Sequence, residues 1–214
     1  MYRYLLLAGA AALLVACNPP ANNTDSAASA AQAADSAAAA ASNAASAAMS
    51  SAGDANASAA QAQVSAAAAT ATTPDFVDAA AATDMFEIQA AKLAEKRSKN
   101  PDVKAFAAMM IHDHTQSTAA LKAAIKASGA TVTLPSDLPA DKKAKLDELS
   151  SAAPADFDKA YMQSQIMAHQ DALTVMKAYG ANGDTPQIKD FATKTAVVVQ
   201  THLDKASNIS DSLK

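Results

Sequence analysis

Residues 100–129 read NPDVKAFAAMMIHDHTQSTAALKAAIKASG, and they decide the fold. Asn100 carries the side-chain acceptor favoured at a helix N-cap. Pro101 brings a pre-set φ to the first helical position, and Asp102 adds a negative charge to the first turn. Gly129 stands where such a helix would stop. Between these marks, Val103, Phe106, Met110, His114, Ser117, Leu121 and Ile125 recur at spacings of three and four. That spacing lines one face of an α-helix. The stretch therefore predicts an amphipathic helix over 101–128, with one ionisable intruder, His114, midway along its apolar stripe.

The same punctuation brackets three more helices. Pro74 opens one over about 75–98, with Phe76, Ala80, Thr83, Glu87, Ala90 and Ala94 in line. Another covers 155–179, with Met162, Ile166, His169, Leu173 and Met176. Thr185-Pro186 opens the last, over 186–212, where Ile188, Phe191, Thr195, Val198, His202, Ala206, Ile209 and Leu213 share a face. Gly180 is read as the residue just past the end of the third long helix. Only a few residues join the first and second of these helices, and Gly180 to Thr185 join the last two, so each pair must be an antiparallel hairpin. The connection between the hairpins is long, 129–153, and holds a short helix near 140–151 anchored by Leu146 and Leu149. A simple up-down bundle needs no such crossover. The expectation is an all-α, ferritin-like four-helix bundle over 75–214: two helical hairpins joined by a long crossover.

Each of the four stripes is interrupted once by a metal-type residue: Glu87, His114, His169 and His202. All four lie near the midpoints of their helices. At 1.5 Å per residue their heights differ by about 5 Å or less, whichever way each helix runs. They should therefore meet in one central layer. Buried groups of this kind must be paired or bind an ion, because an unpaired charge in a core costs several kcal/mol. Two readings follow. One is a first shell for a single Zn or Fe ion, both of which suit imidazole. The other is a closed Glu–His hydrogen-bond network that only sets helix register. Asp113 is a candidate further ligand or outer-shell partner. His112, about 200° around the helix from His114, faces solvent.

Upstream of Pro74 the chain changes character. Residues 5–14 are apolar, too short to span a bilayer, and follow one positive charge, Arg3, as in a secretory signal. Leu14-Val15-Ala16-Cys17 resembles the lipobox of bacterial lipoproteins and contains the chain's single Cys. That resemblance implies a signal peptide over 1–16, an acylated Cys17, a membrane reached through that lipid, and, with Asn18 rather than Asp following, the periplasmic face of the outer membrane. Residues 17–73 are Ala, Ser, Asn, Gln and Thr with few large apolar side chains. They are expected to form a low-complexity tether, since they cannot bury enough apolar surface to offset their ordering entropy.

Composition excludes several classes. The chain of 214 residues carries 17 Lys+Arg against 21 Asp+Glu and no Trp. Without Arg3, Asp25, Asp35 and Asp54, the helical part holds 16 basic and 18 acidic residues, so no basic stripe points to nucleic acid. One Cys allows no internal disulfide. No phosphate loop, nucleophile elbow or CxxC motif is present, so nothing indicates a particular reaction.

The runs Val103-Lys104-Ala105-Phe106-Ala107, Met109-Met110-Ile111-His112-Asp113-His114, Phe157-Asp158-Lys159-Ala160-Tyr161, Phe191-Ala192 and His202-Leu203 resemble a bacterial family known as domain of unknown function 4142. The likeness spans about 75–210. It implies a ferritin-like bundle in an exported protein and implies no reaction. The chain departs from di-iron members of the ferritin-like fold, which carry Glu-x-x-His on two helices. Ile111 stands three before His114, Val199 three before His202, and His169 where a Glu is expected. The sequence thus reads as an exported, lipid-anchored binding protein without a di-iron centre, more a non-enzyme than an enzyme. The alternative is a structural module with a metal-free polar layer. Its protein partners are not legible.

Overall fold

The structure, a computed structural model, describes residues 62–213. The signal segment, Cys17 and tether residues 17–61 lie outside them. Five helices follow in order after a helical stretch at 62–69: α1 (Thr73–Arg97), α2 (Pro101–Ser128), α3 (Ala140–Ser151), α4 (Phe157–Asn182) and α5 (Pro186–Ser212). α1 pairs with α2 and α4 with α5; the hairpins meet with α2 against α5 and α1 against α4. This is the ferritin-like four-helix bundle, with α3 in the crossover.

Local chemistry sets the ends. Asn100 Oδ1 accepts from the N–H groups of Asp102 (2.8 Å) and Val103 (3.3 Å), and Gly129 closes α2 in the left-handed region at φ 70°. α1 begins earlier than its apolar pattern suggests. Thr72 is the N-cap, and Asp75 accepts from the Thr72 N–H at 3.1 Å, forming a capping box. The second hairpin turns later than expected. α4 runs through Gly180 to Asn182. Gly180 serves helix packing rather than termination, since a Cβ there would stand 2.9 Å from Thr193 Oγ1 of α5. Thr185 precedes α5 but makes no capping bond; its hydroxyl joins Thr73 at 2.7 Å, in a polar knot with Tyr179 and Asp184.

α3 is held by one side chain. Arg97 Nη1 donates to the carbonyls of Leu149 (2.7 Å) and Ser150 (2.8 Å), Nη2 to Ala152 (2.5 Å), and the guanidinium lies 4.4 Å over the Phe157 ring. Leu149 is buried and Leu146 half-buried, as the anchors of this helix.

The core is two apolar clusters. At one end the C-terminal half of α1 and the N-terminal halves of α2 and α4 supply Phe86, Ala90, Phe106, Met110, Tyr161 and Met162. At the other, Phe76, Leu121, Met176, Tyr179, Ile188 and Phe191 pack together, with Phe76 stacked on Tyr179 at 4.1 Å. Between them lies a buried polar layer of Asp84, Glu87, His114, Gln165, His169 and His202. In α5 the stripe differs from its spacing: Val199 is buried, while Val198 is 44% exposed.

Candidate metal centre

α2, α4 and α5 each bring one histidine to the centre of the bundle, and all three are buried: His114, His169 and His202. Their ring centroids stand 5.4 to 5.8 Å apart. One ring nitrogen from each lies within 4.8 Å of the others.

One nitrogen of each ring is committed to a hydrogen bond. His114 Nδ1 lies 2.8 Å from Asp84 Oδ1, His169 Nδ1 lies 2.8 Å from the Gln165 carbonyl, and His202 Nε2 lies 2.9 Å from Asp113 Oδ2. A backbone carbonyl only accepts, so His169 Nδ1 carries the hydrogen and its Nε2 presents a lone pair. The two carboxylates accept likewise, so His114 Nδ1 and His202 Nε2 also carry hydrogens. His114 Nε2, His169 Nε2 and His202 Nδ1 have no hydrogen-bond partner in the protein. An imidazole whose far N–H is held by a carboxylate or carbonyl is the arrangement that orients metal-ligating histidines.

Electrostatics sort the three rings. Burial, together with the neighbouring rings and against its bond to Asp113, pushes His202 down to about 4. Burial also lowers His169. Burial pulls His114 down too, but the hydrogen bond to Asp84 and the charges of Glu87, Asp84 and Asp113 outweigh it and raise its pKa. Two of the three rings are thus held neutral, the form that ligates.

Glu87 stands beside the histidines rather than among them. Its Oε2 accepts from Gln165 Nε2 at 2.6 Å; its Oε1 has no partner and lies 4.0 Å from His169 Nδ1. It lines, with Asp84, His114 and His169, a small cavity of about 10 Å³. That is room for about one small sphere. Asp113 sits outside the cluster: one oxygen holds His202, and the other lies 2.7 Å from the Nδ1 of the exposed His112.

Sequence reasoning overlooked Asp84 and Gln165. Asp84 is buried, and its second oxygen accepts from Thr118 Oγ1 at 3.0 Å. The signal was present: Asp84 is three residues before Glu87 and Gln165 four before His169, so each shares a helix face with a recognised residue. Thr83, on the α1 stripe, lines the small cavity while its hydroxyl turns back to the Ala79 carbonyl at 2.8 Å.

The model of the family described as "Domain of unknown function (DUF4142)" matches residues 56–209. The chain belongs to this family. In this DUF4142 domain the match takes in all five helices up to residue 209, and with them every residue of the polar layer. No curated protein and no solved structure matches the chain.

Proposed function

We propose that this protein is an exported metal-binding protein. In this reading, His114, His169 and His202 hold one transition-metal ion, zinc or a single iron, while Asp84, the Gln165 carbonyl and Asp113 fix the rings. The lipid on Cys17 keeps the domain at the periplasmic face of the outer membrane. One observation carries the metal reading: three buried imidazoles each bring a ring nitrogen within 4.8 Å of the others, and each ring has one nitrogen held by Asp84, the Gln165 carbonyl or Asp113. Where the rings are neutral their lone pairs converge and repel, and a cation held between them relieves that repulsion.

Three protein ligands leave a coordination position open. Glu87 Oε1, buried and unpartnered, lies 4.0 Å from His169 Nδ1, on the side of that ring held by Gln165. The test is elemental analysis of protein purified from periplasm, with thermal melts before and after chelation. An ion that binds only the folded state stabilises it by about 2.7 kcal/mol at a hundredfold excess over Kd. Chelator should lower the melting temperature, the ion should restore it, and His202→Ala should erase the difference. If stability ignores Zn²⁺, Fe²⁺ and Cu²⁺ alike, the layer is a metal-free polar network and the proposal fails.

A further inference from the structure

The three histidines are buried, yet an ion must reach them. One open feature approaches them. Between α2 and α5 runs a groove of about 720 Å³, along which α2 sets the small side chains Ala120, Ala123, Ala124 and Ala127 after Asp113, Gln116 and Ser117. Thr195 lines both this groove and the inner cavity. The groove therefore touches the cavity wall at a single named side chain.

The hydroxyls there are placed unusually. Thr193 and Thr201 of α5 donate back to the carbonyls of Lys189 (2.9 Å) and Val197 (3.1 Å), as threonines in helices commonly do. Thr195 makes no such bond. Ser117, which breaks the apolar stripe of α2 one turn from His114, also lines the groove and has no hydrogen bond either. Both hydroxyl oxygens are thus available to something passing. Asp113 lines the same groove while its Oδ2 holds His202. A carboxylate at the mouth raises the local cation concentration.

We infer that the α2–α5 groove is the loading route of the histidine site, with Thr195 as its neck and Asp113 and Ser117 along its wall. The inference rests on the metal reading above. A hydrated cation meets Asp113 in the wet groove. It exchanges waters for the oxygens of Ser117 and Thr195, and passes Thr195 to the three ring nitrogens, so it is never stripped bare against an apolar wall. The opposite seam, between α1 and α4, offers no comparable path. There the cavity is closed by Ala168 and Ala172, and by Thr83, whose hydroxyl is already bonded to its own helix.

The test separates rate from affinity. Full-length protein is mixed with Co²⁺, and loading is followed by the visible absorption that imidazole coordination gives this ion. Release is followed by transfer to EDTA. Thr195→Leu fills the neck and should slow loading and release together, by tenfold or more, leaving Kd within about twofold of wild type. Gln163→Leu, exposed in a separate groove on α4 and away from the cavity, should leave both rates unchanged. Should Thr195→Leu fail to fold, Ser117→Leu fills the groove without touching the cavity wall and carries the same expectation. Unchanged rates in the folded groove variants, or equal slowing in Gln163→Leu, overturn the route while the metal site stands. Wild-type protein that takes up neither Co²⁺ nor Zn²⁺ overturns the metal reading and the route with it.

Discussion

Asp84→Asn is the most informative single change, because it removes a charge and almost no volume. Asp84 accepts from His114 Nδ1 at 2.8 Å through one oxygen and from Thr118 Oγ1 at 3.0 Å through the other. Asparagine can turn its carbonyl to His114 and its amide to Thr118, whose hydroxyl, 3.0 Å from the His114 carbonyl, then donates there instead. A charge-assisted bond becomes a neutral one, a loss of about 1 kcal/mol. Relief of a buried carboxylate offsets part of that. The protein without metal should therefore lose about 1 kcal/mol or less.

Metal affinity should suffer more. Removing the partner that orients a ligating histidine typically costs ten- to a hundredfold in affinity, or about 1.4–2.7 kcal/mol. The pH dependence adds a second signature. Asp84 helps raise the pKa of His114 above its usual 6.5, and a raised pKa stabilises the folded state below about that pH and ceases to as pH climbs past the folded value. The small loss in the metal-free variant should thus be largest in acid and vanish in alkali. Competition with a chromophoric chelator gives Kd; melts at several pH values give stability. A folded Asp84→Asn protein whose Zn²⁺ affinity matches wild type within about twofold would refute the ligand role of His114.

Other expectations follow from single contacts. Gly180→Ala should destabilise by about 1–3 kcal/mol, because its Cβ meets Thr193 Oγ1 at 2.9 Å; in a Thr193→Ala background the same change should instead stabilise by about 1 kcal/mol, as read from denaturant midpoints. Arg97→Ala should cost about 1–3 kcal/mol and speed amide exchange across α3, since three carbonyls at its end lose their donor; Arg97→Lys should recover little of it. The pKa of His202 is depressed to about 4, so its neutral form favours folding above about pH 6.5, and that contribution is lost as pH falls towards 4. Chelated His202→Asn protein should accordingly show a shallower loss of stability over that window in pH-dependent melts. Cys17→Ser should abolish palmitate labelling and release the protein from membranes; a variant that still labels would end the lipoprotein reading.

Much of this molecule was legible because its helices are amphipathic and plainly punctuated. Asn100-Pro101 and Gly129 mark α2 to the residue, and the hairpin–crossover–hairpin order follows from loop lengths. The errors have one kind of cause. Gly180 read as a terminator because a helix-ending glycine and a helix-packing glycine look alike until the neighbouring helix is in place. Val198 was assigned to a buried face because a fixed spacing cannot follow the rotation that packing imposes on a long helix.

The sequence by itself determined that four helices would each carry one ionisable residue at mid-height, since rise per residue is a local property of the backbone. It could not determine which way each ring faces or what stands behind it. Those depend on side chains from other helices: Asp84 behind His114 across α1 and α2, and Asp113 behind His202 across α2 and α5. Only the tertiary structure drew the three histidines into one group, set Glu87 beside them on Gln165, and left a groove open at Thr195. The physical reason is range. Capping and periodicity act within a turn or two of one helix, whereas a ligand set is made by residues tens of positions apart, whose relative placement exists only once the core has packed.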